Sequence, residues 1–343
     1  MRRFYLTLTL GIALTAFLGT FIGLAQDGPY KVLKSVKVGG DGRFDYVYAD
    51  DAGRKLYIPR RGPDRVTVFN LDTIEPAGEI ANTSAAGAAV SPKSGHGFAS
   101  SKPLAMWDAK TLAAIKTITV EGNPDGIMYD AFKDHVYVFS HRAPNATVIN
   151  AADGAILGTI DLGGAPEQAA TDGKGHIYVD IEDKGNIAVV DAKTMAVTAH
   201  YDLAGKGGQC AGLAMDAKNQ ILFATCRAPQ NMVVLSATDG KIITTLPIGQ
   251  GTDGAVFNPS TMEAFSSQGD GTLTIVKENS PSSFVVEQNL QTMRGAKTLT
   301  LDGKTGHVLL IAAESAPPPA DAPPGRGRGA MVPGSFTVLV VGK

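Results

Sequence analysis

The sequence predicts an all-β fold built from seven repeated units. An aromatic residue or a leucine inside a short apolar strand recurs at separations of 39 to 45 residues along the chain. Repeats of this length, with turn residues between short strands, are typical of circular or stacked arrays. The seven recurring residues are Tyr57, Phe98, Tyr137, Tyr178, Phe223, Phe265 and Leu309.

Each repeat has the pattern of four short antiparallel strands. The strand with the recurring residue, such as His135-Val136-Tyr137-Val138, is followed by a second apolar strand, such as Thr147-Val148-Ile149. Turns rich in Gly and Asp come next, and no helical period of useful length interrupts the pattern. Seven four-stranded antiparallel sheets form a seven-bladed β-propeller, which we expect to be a single domain over residues 26–343.

The two ends of the chain indicate how the ring closes. The last repeat runs out at Lys343 after its third strand, whereas the strand-like segment Tyr30 to Val38 precedes the first complete repeat. We therefore expect the N-terminal strand to pair with the C-terminal blade as its fourth strand. This pairing would remove two exposed sheet edges.

Residues 1–25 have the pattern of a secretory signal peptide. Two arginines follow Met1, and the segment from Phe4 to Leu24 contains no charged residue. We expect a periplasmic or secreted protein whose mature chain begins near Gln26. An uncleaved N-terminal membrane anchor is the alternative, because this segment is long enough to span a bilayer.

The balance of charges excludes duplex nucleic acid as a partner. The chain has 31 Lys and Arg against 33 Asp and Glu, a formal net charge of -2. Binding to a duplex requires a basic surface that neutralises several phosphates. The sequence supplies no excess of positive charge for this purpose.

Several segments resemble a known family of repeats. Tyr-Val pairs begin strands at Tyr137-Val138 and Tyr178-Val179, and Gly122-Asn123-Pro124-Asp125-Gly126 precedes the first pair. These segments resemble the YVTN-type repeats of the YncE-like family of exported seven-bladed propellers, over about residues 30–343. The resemblance implies a non-catalytic scaffold that binds a protein, a glycan or a small polar ligand. Single-stranded DNA is a partner by resemblance only, and we expect a monomer.

The two cysteines lie on opposite sides of one predicted hairpin. If Asp216 and Gln220 face each other across the turn, antiparallel register places Cys210 opposite Cys226. A cross-strand disulfide is then geometrically possible and would suit an oxidising compartment. The alternative is a pair of buried thiols.

Charged residues recur where the channel of the propeller should open. The position twelve residues before each recurring residue, or its immediate neighbour, lies where the innermost strand begins and is charged in five repeats: Asp45, Asp125, Glu167, Asp253 and Lys297. The loops after the recurring residues should face the same side and carry further polar residues: Arg60, Arg61, Lys102, His141, Arg142, Glu182, Asp183, Arg227 and Gln268. The sequence therefore predicts alternating charge around one entrance to the channel.

Three interpretations of this entrance remain open. The acids cap turns and pair with neighbouring cations, as the Asp125-Gly126 and Asp253-Gly254 pairs indicate. Alternatively they form a pocket for a polar ligand, or they hold a hard cation such as calcium. No cofactor beyond this ion is predicted.

An enzyme is the alternative to a binding scaffold. A carboxylate-bound cation near Arg61, His141 and Arg227 would suit a lactonase-like hydrolase that activates water. An oxidoreductase with a borrowed quinone or haem is the other enzymatic option, although a single tryptophan argues against a quinone site. The nucleophile elbow, phosphate loop and haem-attachment motifs do not occur in the sequence.

The last repeat contains a long insert rich in Pro, Gly and Arg. Residues 315–334 separate its second and third strands and include Gly325-Arg326-Gly327-Arg328-Gly329. Such a composition does not bury enough apolar surface to order itself. We expect a flexible extension on the same face as the channel entrance.

Overall fold

The computed structural model describes residues 28–143, 145–317 and 329–343 of the chain. These residues form 28 strands arranged in seven four-stranded antiparallel sheets. The predicted all-β fold with seven blades is thereby confirmed. Within these three ranges, no helix is long and apolar enough to cross a membrane. The predicted signal peptide, residues 1–25, lies outside the described residues.

The first four blades follow the chain in order, each with its innermost strand first. Blade 1 contains β2 (Tyr48–Asp50), β3 (Lys55–Arg60), β4 (Arg65–Asn70) and β5 (Pro76–Ala81). Blade 2 contains β6 (Ala85–Ser91), β7 (His96–Ser101), β8 (Leu104–Asp108) and β9 (Ala114–Ile118). Blade 3 contains β10 (Pro124–Asp130), β11 (His135–Ser140), β12 (Ala146–Asn150) and β13 (Ile156–Ile160). Blade 4 contains β14 (Pro166–Thr171), β15 (His176–Ile181), β16 (Asn186–Asp191) and β17 (Ala196–Asp202).

The remaining three blades include the one that joins the two ends of the chain. Blade 5 contains β18 (Cys210–Asp216), β19 (Ile221–Arg227), β20 (Gln230–Ser236) and β21 (Ile242–Pro247). Blade 6 contains β22 (Thr252–Asn258), β23 (Glu263–Gln268), β24 (Thr272–Ser280) and β25 (Ser283–Gln291). Blade 7 contains β26 (Thr298–Leu301), β27 (Val308–Ala312), β28 (Thr337–Gly342) and, as its outermost strand, β1 (Lys31–Lys37).

The core consists of seven apolar clusters, one between each pair of neighbouring blades. The recurring aromatic residues and Leu309 are at most 2% exposed and lie on the second strand of each blade. The outermost strands are much more exposed: β5 and β9 are exposed at all but one residue, and β17 alternates between partly buried and exposed residues along its whole length. This difference follows from the architecture, because inner strands are covered on both faces and outer strands on one.

The ring closes through the N-terminal strand, as the sequence predicts. Strand β1 pairs antiparallel with β28, from Lys31 opposite Gly342 to Lys37 opposite Thr337. Just before β1, the side chain of Tyr30 is 2% exposed. The backbone N–H of Tyr30 donates to Oε1 of Gln288 in blade 6 at 2.9 Å, and the side-chain amide of Gln288 donates to the backbone carbonyl of Tyr30 at 2.9 Å.

A buried carboxylate ties both chain ends to blade 6. Glu263 on β23 is fully buried and accepts a hydrogen bond from the hydroxyl of Tyr30. Its other oxygen lies 2.7 Å from Nζ of Lys343, the last residue of the chain. Because these contacts join residues from opposite ends of the chain, they hold the closure of the ring together with the β1–β28 ladder.

The two cysteines are joined by a disulfide bond, although the hairpin register differs from the expected one. At the turn Asp216 pairs with Ile221 and not with Gln220. A β-bulge between Cys210 and Gly212 then shifts the register by one residue and brings Cys210 opposite Cys226. The expected register at the turn is therefore wrong, and the bulge compensates for the error.

The ends of the Pro- and Gly-rich insert are attached to the propeller. Ser315 and Met331 form an isolated antiparallel bridge, and Met331 packs against the apolar cluster between blades 7 and 1. The backbone N–H of Val332 donates to the carbonyl of Glu314 at 2.8 Å. Residues 318–328, which carry most of the predicted flexible segment, lie outside the described residues.

A chain that begins at residue 39 is expected to be much less stable than one that begins at residue 28. The shorter chain loses strand β1 and the buried side chain of Tyr30, and removal of one buried aromatic side chain costs about 3–5 kcal/mol. Thermal unfolding followed by circular dichroism compares the two chains. Equal unfolding temperatures would contradict the role of β1 in closing the ring.

Candidate functional site

The first strands of the seven blades form an inner ring, and one end of that ring carries the predicted charged residues. Each first strand contacts the first strands of the two neighbouring blades, including β26 with β2. The strands β6, β10, β14, β18 and β22 each contain a shift of register close to their beginning. Such bulges redirect side chains. The residues at these bulges include Asp125, Glu167 and Asp253, the acids predicted at the channel entrance.

Glycine follows the bulged residue in four of these five inner strands. A Cβ atom on Gly126 would lie 3.0 Å from the carbonyl oxygen of Glu167, and one on Gly254 would lie 2.8 Å from a methyl group of Leu299. Such contacts are tighter than a Cβ atom normally makes, so glycine relieves crowding between neighbouring inner strands at these positions. Gly87 and Gly212 occupy the same place in blades 2 and 5.

One half of the entrance is a chain of alternating charges from blades 1, 3 and 4. Arg61 lies 3.9 Å from a carboxylate oxygen of Asp45 and 2.8 Å from Oδ1 of Asp125. Nε2 of His141 lies 3.7 Å from Oδ2 of Asp125 and 3.3 Å from Oε1 of Glu167. Cations and anions therefore alternate from blade to blade along this side of the entrance.

The other half continues the chain through blades 4 to 7 and returns to blade 1. Arg227 lies 2.6 Å from Glu182 and also contacts Asp253. Lys297 contacts Asp253 and lies 3.3 Å from Asp45. We call the nine residues of the two halves the mouth ring: Asp45, Arg61, Asp125, His141, Glu167, Glu182, Arg227, Asp253 and Lys297.

The mouth ring shifts the pKa values of its members. The hydrogen bond to Glu167, reinforced by the charges of Asp125 and Glu182, raises the pKa of His141 to about 9 against the opposing effect of burial. Burial raises the pKa of Glu167 and that of Asp45 above their usual range, although the neighbouring cations oppose it. His141 is consequently positively charged at neutral pH.

Two side chains beneath the mouth ring span several blades, and the sequence analysis did not single them out. Tyr46 extends from blade 1 to blade 4, where its hydroxyl donates to Oε2 of Glu167 at 3.1 Å. Gln168 on β14 donates to the carbonyl of Ala255 at 2.9 Å and accepts from the backbone N–H groups of Leu213 and Ala255. The signal for both was a break in the repeat, because Tyr46 and Gln168 stand where four blades have glycine.

Arg60 lies away from the mouth ring. Its guanidinium carbon sits 3.6 Å from the centre of the Phe336 ring, and Nη2 donates to the carbonyl of Gly39 at 3.3 Å. Its side chain is buried between blades 1 and 7, and burial lowers its pKa to about 10. Alternation along the chain explains the difference, because Arg61 points to the opposite side.

The other predicted residues of the entrance form hydrogen bonds within their own blade or with neighbouring segments. The amide of Gln268 is buried in blade 6, where it donates to Ser266 at 2.8 Å and accepts from Thr272 at 3.0 Å. Arg142 is exposed and bonds through its backbone to the hydroxyl of Ser140. Two more bond to the backbone of neighbouring segments, namely Lys102 to Gly122 and Asp183 to Ala165.

A buried carboxyl group lies in the same layer as Tyr46 and Gln168. Asp180 on β15 is fully buried, and neither of its oxygens has a hydrogen-bond partner among the described residues. The corresponding position holds Ser100 in blade 2 and Ser267 in blade 6, whose hydroxyls donate to carbonyls of the next blade. Burial, with a smaller effect of Glu167, raises the pKa of Asp180 well above its usual value.

Seven four-stranded blades around a channel with a charged mouth define a seven-bladed β-propeller. A similar fold occurs in the crystal structure of the mitotic checkpoint complex, with a TM-score of 0.71 and 11% identity over 90% of this chain and 95% of that one. U3-55K has a TM-score of 0.70 and 8% identity over 90% of this chain and 98% of its own.

The WD40 repeats of RRP9 are similar to the same extent, with a TM-score of 0.71 and 9% identity over 93% of this chain and 100% of theirs. At such identities the likeness concerns the fold alone. No protein-family model and no curated protein matches the sequence.

Replacement of Asp180 by Asn is expected to stabilise the protein at pH 8 by at least about 1.4 kcal/mol, the free energy equivalent to a tenfold change in a proton-binding equilibrium, because a neutral amide is buried without binding a proton. The pKa of Asp180 is higher in the folded state than the unfolded value of about 3.9, so stability falls as pH rises above that value. The gain should therefore shrink at pH 4. Urea unfolding at both pH values measures it, with the exposed Asp161→Asn as control. An equal effect of Asp180→Asn at both pH values would contradict a raised pKa.

Proposed function

We propose that this protein is an exported, non-catalytic binding scaffold of the YncE-like type that holds its partner at the mouth ring. One observation carries the proposal: charged side chains from six of the seven blades converge on one end of the channel in a continuous chain of ion pairs. Concave sites with a few convergent polar groups are the usual binding sites of such folds.

The most exposed ion pairs of the mouth ring contribute little to holding the propeller together. Three of its members keep substantial exposure, since the side chains of Arg61, His141 and Arg227 are 42%, 36% and 30% exposed. Ion pairs at such exposed positions contribute about 0–1 kcal/mol each, whereas the seven apolar clusters supply the burial that stabilises the ring. Charges arranged in this way favour specificity and orientation of a polar partner.

A protein is the partner that we expect first, ahead of a glycan or a small polar ligand. One of the solved structures with a similar fold was determined as part of an assembly, the mitotic checkpoint complex. Single-stranded DNA is disfavoured by charge, because the mouth ring contains five carboxylates against three residues with permanent positive charge. Phosphate groups would meet net repulsion there.

Export is part of the proposal and has two supports. The sequence of residues 1–25 has the pattern of a signal peptide. The disulfide between Cys210 and Cys226 suits an oxidising compartment, since disulfides persist mainly outside the cytosol.

The partner is expected to be lost when the mouth ring is altered. Cross-linking and quantitative mass spectrometry of the extracytoplasmic fraction of the source organism would compare the wild type with Arg227→Gln. Arg54→Gln is a matched control, because Arg54 also bridges two carboxylates, Asp72 and Asp302, at the other end of the blades. We expect the Arg227 variant to recover the partner at least 10-fold less efficiently than the control. Equal recovery by the two variants would overturn the proposed site.

Export predicts a chain shortened at its N-terminus. Intact-mass spectrometry of protein from the extracytoplasmic fraction should give a mass that begins near Gln26, and the control is the same protein made without export. A mass that includes Met1 to Ala25 in a membrane fraction would support the anchor in place of the cleaved signal. Protein found only in the cytosol would contradict export.

A further inference from the structure

Three potential metal ligands meet within the mouth ring. Asp125 lies at the bulge of β10, His141 directly follows β11, and Glu167 lies at the bulge of β14. One donor atom from each residue lies within 4.8 Å of the other two. The set combines an imidazole with two carboxylates from neighbouring blades.

The separations of the donor atoms fit coordination of one ion. Nε2 of His141 lies 3.3 Å from Oε1 of Glu167 and 3.7 Å from Oδ2 of Asp125. Two ligands of a tetrahedral ion with bonds of about 2.1 Å lie about 3.4 Å apart. Two of the three separations therefore require almost no adjustment, and the donor atoms of the third pair lie within 4.8 Å of each other.

In each carboxylate, the oxygen that would not bind the metal accepts a hydrogen bond from another side chain. This hydrogen bond orients the other oxygen toward His141. Oε2 of Glu167 accepts the hydroxyl of Tyr46 at 3.1 Å. Oδ1 of Asp125 accepts Nη2 of Arg61 at 2.8 Å. In metal sites, outer hydrogen bonds of this kind fix the orientation of the ligands and support affinity. Both carboxylate ligands have such a hydrogen bond here.

The charge of the mouth ring also favours a divalent cation. Its five carboxylates are Asp45, Asp125, Glu167, Glu182 and Asp253, and its permanent cations are Arg61, Arg227 and Lys297. With His141 neutral, as an imidazole must be to bind a metal, these groups leave an excess of two negative charges, and binding of the ion would displace the proton of His141. One divalent ion would neutralise that excess.

We propose that Oδ2 of Asp125, Nε2 of His141 and Oε1 of Glu167 bind one divalent transition-metal ion of the Zn²⁺ class. Imidazole ligands favour such ions, whereas calcium prefers sites made of oxygen alone. Because His141 is 36% exposed, a further coordination position is open toward the channel mouth. The inference rests on the proposed function in one respect: a polar group of the partner would complete the coordination.

Isothermal titration of the metal-free full-length protein with Zn²⁺ tests the site. We expect one ion per chain, with affinity reduced at least 100-fold in His141→Ala and in Glu167→Gln. His200→Ala is the matched control, because His200 is exposed on the outer strand β17 and lies outside the mouth ring. The His200→Ala variant should bind Zn²⁺ with the same affinity as the wild type. Absence of a one-to-one site in the wild type, or unchanged affinity in His141→Ala, would overturn the proposal.

Two further measurements do not depend on removing a ligand. Tyr46→Phe keeps all three donors but removes the hydrogen bond to Glu167, so affinity should fall about 10-fold or more. Co²⁺ added to the wild type should give visible absorption bands that Zn²⁺ removes and Ca²⁺ does not. Unchanged affinity in Tyr46→Phe, or displacement of Co²⁺ by equimolar Ca²⁺, would contradict the proposed ligand set.

The two experiments distinguish failure of the proposed metal site from failure of the proposed function. Zn²⁺ titration uses purified protein without a partner, and the capture experiment uses Arg227→Gln, which retains all three donor residues. Metal binding without partner capture would overturn the proposed function alone. Partner capture by a protein that binds no metal would overturn this inference alone.

Discussion

The whole structure depends on the need of each sheet to cover both of its faces. A single four-stranded blade leaves two apolar faces exposed, and only a neighbour on each side removes them from water. Seven apolar clusters between seven blades satisfy this need only if the last blade meets the first. The pairing of β1 with β28 completes blade 7 and so allows both of its neighbours to be covered.

Closure of the ring also determines the chemistry at the channel mouth. The inner strands approach each other so closely that a side chain at Gly126 or Gly254 would crowd the next blade, and a bulge accompanies each of these glycines. The bulges direct the preceding residues, Asp125 and Asp253, toward the channel. A geometrical demand of the fold thus places charged side chains from separate blades within contact distance of one another.

Much of this could be predicted from the sequence, because it depends on periodicity. The spacing of the recurring aromatic residues is sufficient for the number of blades, and counting back from them reaches four of the five acids of the mouth ring. Tyr46 and Gln168 contact non-adjacent blades and were missed, because a break in the repeat marks their positions but does not show what they contact. The positions of Arg60 and Asp180 depend on which face of a strand each side chain occupies near a bulge or a strand end. Residue spacing alone does not determine that face.

The shared blade has a consequence for biosynthesis. Strand β1 is synthesised well before its partner, because β28 begins at Thr337 and β1 ends at Lys37. During translation, and during any passage through a translocon, this strand has no native partner and is exposed to other chains. Its three lysines, Lys31, Lys34 and Lys37, are the kind of residue that discourages association of unpaired strands. The lysines of β1 are therefore suited to a strand that stays unpaired until β28 has been synthesised.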